Sequence, residues 1–180
     1  MPTITTLRER PRGMVDVELD GELWRTLPAD AVVRSALVVG RTLDRGTARA
    51  LARELRKVRA LGAAVTALRH RDLSTRRLEE RLAERGIASA ARAEALAALE
   101  RSGVLDDDRA AEGRARGLAG RGWGDEAIRH RLGEEGFAPE VVADAISRLE
   151  READRAAALR SQGRSERWLA ARGFELAGED

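Results

Sequence analysis

The sequence contains no cysteine, no tyrosine and only two histidines. The absence of cysteine excludes disulfide bonds, thiolate nucleophiles and thiolate metal ligands. No His-x-x-x-His spacing, phosphate-binding loop, dinucleotide fingerprint or Ser–His–acid set occurs. We therefore predict no catalytic, cofactor-binding or metal-binding residue, and a protein that is not an enzyme.

Long apolar runs are missing as well. The longest falls far short of the about 20 residues that cross a bilayer, and residues 1–13 lack the apolar segment of a secretory signal. We expect a cytoplasmic protein with no membrane partner, which agrees with the lack of cysteine. Aromatic residues make up only 3% of the chain, which argues against a surface that stacks nucleic-acid bases.

Charged residues are numerous but unevenly placed. The formal net charge is only +2, and the pI of about 10.1 is high because almost nothing titrates between histidine and arginine. Residues 1–73 carry 14 basic and 9 acidic side chains, a net charge of +5, whereas residues 104–155 carry 9 and 13, a net charge of −4. This asymmetry predicts either orientation on a charged partner or an uneven solvated surface.

One phrase occurs three times, as RLAERGI at 81–87, RLGEEGF at 131–137 and WLAARGF at 168–174. The first two copies align without a gap at an offset of 50 residues, so that Leu82 corresponds to Leu132. Self-similarity at a fixed spacing is the signature of a repeat architecture. The third copy ends too soon after Gly and Phe for a second helix, so we predict a truncated repeat.

Each repeat is predicted to contain three helices. Ser74 suits a helix N-cap, and Leu78 and Leu82 share one helix face. Gly86 ends that helix, because glycine adopts the left-handed conformation of a helix C-terminus at low cost. A second helix follows, which in the second copy opens at Pro139.

A third helix of the repeat is predicted after a capping aspartate, Asp106 or Asp107. This helix contains Gly113, Gly117 and Gly120, each of which costs about 1 kcal/mol relative to alanine in a helix interior. We interpret these glycines as sites of close helix packing. A flexible joint between repeats is the alternative.

The N-terminal part differs in kind from the repeats. Val15, Val17 and Leu19 alternate with acidic residues, and Asp20-Gly21 then favours a tight hairpin turn. Residues 3–9 are expected to add a third strand, followed by a short helix. A long helix is then expected from about residue 47 to 71, either continuous or broken near Gly62. The predicted fold is mostly α, with tandem three-helix repeats in an elongated array and a small N-terminal β-hairpin element. The predicted domains are 1–43 (β and short helix), 44–73 (linking helical segment), 74–123 (repeat 1), 124–163 (repeat 2) and 164–180 (truncated repeat 3).

Candidate contact residues lie on the predicted helix surfaces. Arg77, Arg81 and Arg85 recur every four residues, which places them in one positive stripe. The stripe is either a solvated face or a contact for phosphate or an acidic partner. Trp123 either packs a joint between repeats or serves as a contact. The full candidate set is Arg69, Arg71, Arg76, Arg77, Arg81, Arg85, Trp123, Arg129 and Arg131.

The motifs in combination resemble the RecX family, regulators of the RecA recombinase. The likeness is carried by VDVELDGE at 15–22, LSTRRLEERLAERGI at 73–87, SGVLDDDRAAEG at 102–113, RGWGDEAIRHRLGEEGF at 121–137 and RWLAARGF at 167–174. The chain departs from the family pattern at Ala110, where an aromatic residue is common. It also departs in the acidic segment 125–127 and in the missing last helix of the third repeat.

The resemblance implies a non-enzymatic regulator, acting in DNA repair, the SOS response and homologous recombination. It implies binding to the RecA filament on single-stranded DNA and damped recombinase, ATPase and co-protease activity. We expect such a protein to be a monomer that needs no cofactor. The alternative is a stand-alone DNA-binding helical module of helix-turn-helix type, which would bind single-stranded or double-stranded DNA directly.

Overall fold

The computed structural model describes residues 1–69 and 72–175. The described residues form three strands and nine helices: β1 (Ile4–Arg10), β2 (Met14–Leu19), β3 (Glu22–Pro28), α1 (Ala29–Arg34), α2 (Arg45–Leu68), α3 (Thr75–Glu84), α4 (Ser89–Arg101), α5 (Asp107–Ala119), α6 (Asp125–Glu134), α7 (Pro139–Ser147), α8 (Glu152–Ser161) and α9 (Glu166–Ala171). This confirms the predicted fold class, mostly α with a small N-terminal β element. The chain divides into two compact units, Met1–Thr66 with Leu82–Ala95 and Ala67–Arg81 with Leu96–Asp180.

The first unit contains an antiparallel sheet in the order β1-β2-β3. The predicted hairpin turn lies between Leu19 and Glu22, which pair across β2 and β3. Asp20 and Gly21 both have positive φ, 50° and 89°, which is the backbone of a type I′ turn and explains the Asp-Gly pair. The sheet packs against α1 and α2 through a core of Ile4, Val15, Val17, Leu27, Ala31, Val32, Leu37 and Leu51.

Asp16 lies on the face of β2 opposite Val15 and Val17 and is nevertheless buried. Its carboxylate accepts hydrogen bonds from the Thr26 hydroxyl at 2.7 Å and from Nε of Arg10 at 2.5 Å. The Thr26 bond, followed by the Arg10 bond, holds the pKa of Asp16 below its ordinary value. A buried charge on a small sheet is tolerated here because both partners come from the neighbouring strands.

The long helix α2 runs without interruption through Gly62. A break at this glycine was one predicted outcome, and it does not occur. Asp44 precedes the helix and accepts a hydrogen bond from the Thr47 amide at 2.7 Å, so an N-terminal cap fixes where it begins. The predicted extension to Arg71 lies partly outside the described residues.

In the second unit, α5, α6 and α7 pack against one another. Ile128 and Leu132 of α6 have no exposed area, and the same is true of their counterparts in the first copy, Leu78 and Leu82 of α3. The bundle begins with α5, which the sequence places at the end of the first repeat. The five domain ranges stay a prediction, because an offset of 50 gives the period of a repeat and not the helix at which a packed bundle begins. The buried core of the bundle is Ala110, Ala111, Ala115, Leu118, Ile128, Leu132, Phe137, Val142 and Ala145.

The helix ends match the predictions. Gly86 and Gly136 have φ of +70° and +87°, the left-handed conformation expected of a helix stop. Asp106 caps α5 by accepting a hydrogen bond from the Arg109 amide at 2.9 Å, and Pro139 occupies the first turn of α7.

The interpretation of the α5 glycines as packing sites is wrong. A Cβ atom built on Gly113 meets nothing within 4 Å, and one built on Gly117 meets only the end of the Arg121 side chain at 3.7 Å. Gly120 follows the helix as its C-cap. The buried side of α5 is instead formed by alanines and Leu118, so the glycines lie on the open side of the helix.

Candidate partner-contact surface

The repeated phrase ends at a junction between helices. The Ser74 hydroxyl caps α3 by accepting a hydrogen bond from the Arg77 amide at 3.1 Å. The same hydroxyl donates to the carbonyl of Glu135 at 2.7 Å. Gly136 follows, and a Cβ there would lie 3.0 Å from the Ser74 oxygen. We call this contact the first junction. It requires glycine at 136 both for its positive φ and for the close approach.

A corresponding contact occurs a second time at equivalent positions, with a backbone amide as the donor in place of the hydroxyl. Gly124, which is 50 positions after Ser74, is the N-cap of α6. Its amide donates to the carbonyl of Arg172 at 2.9 Å, and Gly173 follows with φ of +74°. A Cβ on Gly124 would overlap the backbone of Gly173, and a Cβ on Gly173 would lie 2.7 Å from the Ala127 amide. We call this contact the second junction.

Each junction also contains a carboxylate that accepts a hydrogen bond from the first amide of a helix. The amide of Thr75, the first residue of α3, donates to Asp107 at 2.8 Å. The amide of Asp125, the first residue of α6, donates to Glu152 at 2.6 Å. Asp107 and Glu152 are themselves the first residues of α5 and α8. In each case the acid at the start of one helix binds an otherwise unsatisfied N–H at the start of the second helix before it in the chain. The negative charge of the acid also interacts favourably with the dipole of that helix.

The repetition of the phrase therefore has a structural reason. The cap of one copy docks on the glycine stop of the next, so the second copy, at 131–137, and the third, at 168–174, each provide the stop for the cap before it. Such nearest-neighbour contacts are the means by which repeat proteins gain stability. The described part of the third copy is long enough to complete the second junction.

A partly buried ion pair reinforces the second junction. Arg155 is 9% exposed and donates to the Trp123 carbonyl at 2.9 Å and to the Asp125 carboxylate. Desolvation of Asp125 raises its pKa, with the nearby Glu152 charge adding to the rise while Arg155 opposes it. The pair is anchored among backbone groups, so this arrangement positions the α5–α6 loop that carries Trp123.

Trp123 belongs to a cluster of alternating arginines and tryptophans. The guanidinium of Arg131 lies 4.0 Å from the centre of the Trp123 ring, and that of Arg172 lies 4.5 Å from it. Arg172 also lies 4.7 Å from the ring of Trp168, which is 4.8 Å from Arg164. We call these five residues the Arg–Trp cluster. Each contact has the geometry of a cation–π interaction, worth about 0.5–1 kcal/mol at an exposed site.

The Arg–Trp cluster keeps its positive charge. Within the described residues, Arg131 and Arg164 form no ion pair with a carboxylate, and Arg172 donates only to the backbone carbonyl of Arg121, at 3.3 Å. Trp123 is half-buried and packs against the bundle core, as the packing interpretation expects, and its role as a contact residue stays a prediction. The cluster thus presents fixed guanidinium groups whose donors are largely unused.

The sequence candidates Trp123 and Arg131 are brought together in this cluster, whereas the neighbouring Arg129 is not. Arg129 is exposed and forms an ion pair with Glu126 on its own helix. Arg164, Trp168 and Arg172 were absent from the candidate set. A cation–π chain joins positions far apart in sequence, and no local spacing predicts it.

The predicted stripe on α3 is partly neutralised. Arg76 and Arg77 both bind Glu80, at 3.2 and 3.0 Å, and the Arg77 and Arg76 hydrogen bonds lower the pKa of Glu80. Arg81 is half-buried and forms no ion pair among the described residues. The stripe therefore carries less free charge than its spacing indicates.

The remaining sequence candidates are dispersed. Arg85 donates to the carbonyl of Ala63 at 3.3 Å within the first unit. Arg69 is exposed at the end of the described segment before residue 72, and Arg71 lies outside the described residues. Whether any of the nine candidates contacts a partner stays a prediction.

The described residues contain neither a membrane-spanning helix nor a cluster of metal-ligating side chains. No helix in them is both long and apolar enough to cross a membrane. In the same residues, no group of three or more histidine, aspartate or glutamate side chains is arranged to hold a metal ion.

Comparison with known proteins finds the same fold among solved structures. The crystal structure of regulatory protein RecX matches 97% of this chain and 95% of its own, with a TM-score of 0.81 and 20% identity. The crystal structure of RecX from Lactobacillus salivarius matches 67% of this chain and 89% of its own, with a TM-score of 0.58 and 19% identity. No family model matches the chain, and no curated protein matches it in sequence. The fold implied by the RecX-like motifs is thereby confirmed.

Proposed function

We propose that the chain is a RecX-type regulator of the RecA recombinase. It binds the RecA filament on single-stranded DNA in the cytoplasm and lowers recombinase, ATPase and co-protease activity through contact rather than catalysis. The observation that carries this proposal is the fold match, which spans 97% of this chain and 95% of a protein described as regulatory protein RecX. The RecX-like motifs, found in order along both units of the chain, support the same assignment.

The Arg–Trp cluster is the surface through which we propose that the second unit contacts the filament. Arginine and tryptophan are the residues most enriched among energetically dominant contacts in protein interfaces. The tryptophan rings already hold Arg131 and Arg164 in place, so little side-chain entropy is lost when a partner binds. Their unused donors fit carboxylates on the recombinase.

A titration of RecA with this protein tests the regulatory function. ATP hydrolysis by RecA on single-stranded DNA is measured as the protein is added, and we expect it to fall at fewer than one protein per RecA subunit. Several repeats in a row can touch more than one filament subunit, so individually weak contacts add. Unchanged hydrolysis at equimolar protein would rule out an inhibitory regulator.

A charge-reversed pair of variants tests the contact surface. Arg131→Glu with Arg164→Glu changes two unpaired cluster arginines, and we expect the inhibitory titration to shift by at least about tenfold, the effect of about 1.4 kcal/mol. The control is Arg148→Glu with Arg151→Glu, an equal change of charge at two exposed, ion-paired arginines. Equal shifts for both variants, each with a melting temperature near that of the unmodified protein, would exclude the cluster as the contact.

A further inference from the structure

A second positively charged surface lies on α2, in the first unit. Arginines occupy five positions spaced by four, four, three and three residues, at Arg45, Arg49, Arg53, Arg56 and Arg59, and all five are exposed. At about 100° per residue, these positions fall within an arc of about 120° on one side of the helix. We call them the α2 arginine stripe. None of them was a candidate contact residue in the sequence analysis.

The α2 arginine stripe is not neutralised within the described residues. None of its five members forms an ion pair or a hydrogen bond with a carboxylate there. Glu54, the one acid of α2, binds Lys57 at 3.2 Å, and Lys57 also binds Glu94 at 3.0 Å. Asp44, just before the helix, is engaged as its cap. The acids nearest in sequence are therefore already used, in contrast to Glu80, which binds two arginines of α3.

The residues between the arginines indicate the kind of partner. The small side chain of Ala52 lies within the arc and that of Ala48 beside it, whereas Ala60, also within the arc, is fully buried. The arc carries no aromatic or large aliphatic anchor of the kind on which protein interfaces depend. A band of exposed guanidiniums along one side of a helix, unpaired within the described residues and with small residues beside it, suits an extended polyanion instead.

We propose that the α2 arginine stripe binds the phosphodiester backbone of DNA. From Arg45 to Arg59 the helix rises about 21 Å at 1.5 Å per residue, a length that faces about six phosphates of one strand spaced 3.4 Å apart. The contact is independent of DNA sequence, because it reaches phosphates rather than base edges. The proposal does not depend on the regulatory function, since it concerns DNA without recombinase and a surface in the other unit.

The salt dependence of DNA affinity, measured without recombinase, tests this proposal. If all five arginines contact phosphates, the logarithm of the association constant falls with the logarithm of salt concentration with a slope of about −4.5 for duplex DNA and about −3.5 for single strands. Between 50 and 200 mM salt this corresponds to a loss of affinity of about 500-fold and about 100-fold, respectively.

The test variant carries Arg49→Gln, Arg53→Gln and Arg56→Gln, since glutamine is a good helix former and keeps α2 intact. With two stripe arginines left, the loss over the same salt range should fall to about tenfold for either form of DNA. The control variant carries Arg116→Gln, Arg148→Gln and Arg151→Gln, which removes the same charge from ion-paired, exposed arginines of the second unit.

A control variant with the slope of the unmodified protein, next to a stripe variant with the reduced slope, supports the proposal. Equal slopes for the stripe variant and the unmodified protein overturn it, as does a failure of the unmodified protein to bind either form of DNA. If the unmodified protein binds neither form of DNA, the α2 arginine stripe would instead be interpreted as a contact for an acidic protein surface. The recombinase titration is a separate measurement, so failure of either proposal leaves the other to be judged by its own result.

Discussion

The second junction predicts that Gly124→Ala destabilises the protein, although nothing in the backbone of this residue requires glycine. Gly124 has φ of −78° and ψ of 168°, an extended conformation that alanine adopts freely. The cost comes from the neighbour, because the added methyl group would overlap the carbonyl and amide of the peptide between Gly173 and Phe174. These are backbone atoms that cannot rotate away.

The magnitude follows from three contributions. Overpacking a close contact costs about 1–3 kcal/mol. Separation of the two segments also weakens the hydrogen bond from the Gly124 amide to the Arg172 carbonyl, which is worth about 0.5–1.5 kcal/mol. Replacing glycine restricts the unfolded chain and returns about 0.4–1 kcal/mol. We expect a net loss of about 1–3 kcal/mol, or a melting temperature lower by about 2–10 °C for a chain of this size.

Gly133→Ala is the matched control for this prediction. Gly133 lies inside α6, and a Cβ there meets nothing within 4 Å. Alanine should therefore stabilise the helix by about 0.5–1 kcal/mol. The same chemical change on the same helix is expected to have opposite signs at the two positions, which thermal unfolding followed by circular dichroism can measure.

A second measurement locates the effect. If Gly124→Ala separates the two segments, α9 loses its dock and the C-terminal part of the chain should be cut faster by a protease than in the unmodified protein. A Gly124→Ala protein as stable as the unmodified one, with unchanged proteolysis, would refute the close approach. A loss of equal size in Gly133→Ala would show that α6 is sensitive to any substitution.

Three further predictions concern single contacts. Ser74→Ala removes both a helix cap and the hydrogen bond to Glu135. We expect a loss of about 1–3 kcal/mol in the free energy of unfolding by denaturant, which should be larger than the loss in Ser165→Ala, where only a cap is removed. Equal losses in the two variants would contradict the first junction. Asp16 has a lowered pKa in the folded state, so its stabilising effect is present above about pH 4 and is lost as pH falls. The denaturant midpoint of Asp16→Asn should therefore decline less between pH 6 and pH 3 than that of the unmodified protein. An equal decline in both proteins would speak against this role of Asp16. Arg172→Gln removes cation–π contacts with two tryptophan rings, so it should change tryptophan fluorescence and lower the free energy of unfolding by about 1–2 kcal/mol. The control, Arg167→Gln at an exposed position, should change neither quantity. Matching spectra for the two variants would argue against the Arg–Trp cluster.

The features that the sequence predicted correctly are local ones. The Asp20-Gly21 turn, the Asp106 cap and the glycine stop at 136 each depend on a conformational preference of one or two residues. The alternation of Val15 and Val17 likewise marks the buried face of one strand. Each of these signals acts over a few positions, so a single sequence is enough to detect it.

The features that were missed depend on contacts between distant segments. The offset of 50 predicted which residues are equivalent, but not that Ser74 would contact Glu135. The reason is that a helix cap in one copy of the repeat contacts the glycine stop of the next copy and not the stop of its own copy. The Arg–Trp cluster likewise brings together Trp123 and Arg172, which are far apart in the sequence. Glycine at 113 was misread for a related reason, since glycine in a helix indicates close packing only when another element lies there.

The two arginine rows differ in a way that the sequence does contain. On a helix, an acid three or four positions from an arginine is its natural partner. Glu80 stands in that relation to Arg76 and Arg77, and it binds both. For each member of the α2 arginine stripe, all positions three and four residues away hold no aspartate or glutamate. Spacing alone therefore selects a helix face, and acids at these positions, as at Glu80, reduce the positive charge that the face offers to a partner.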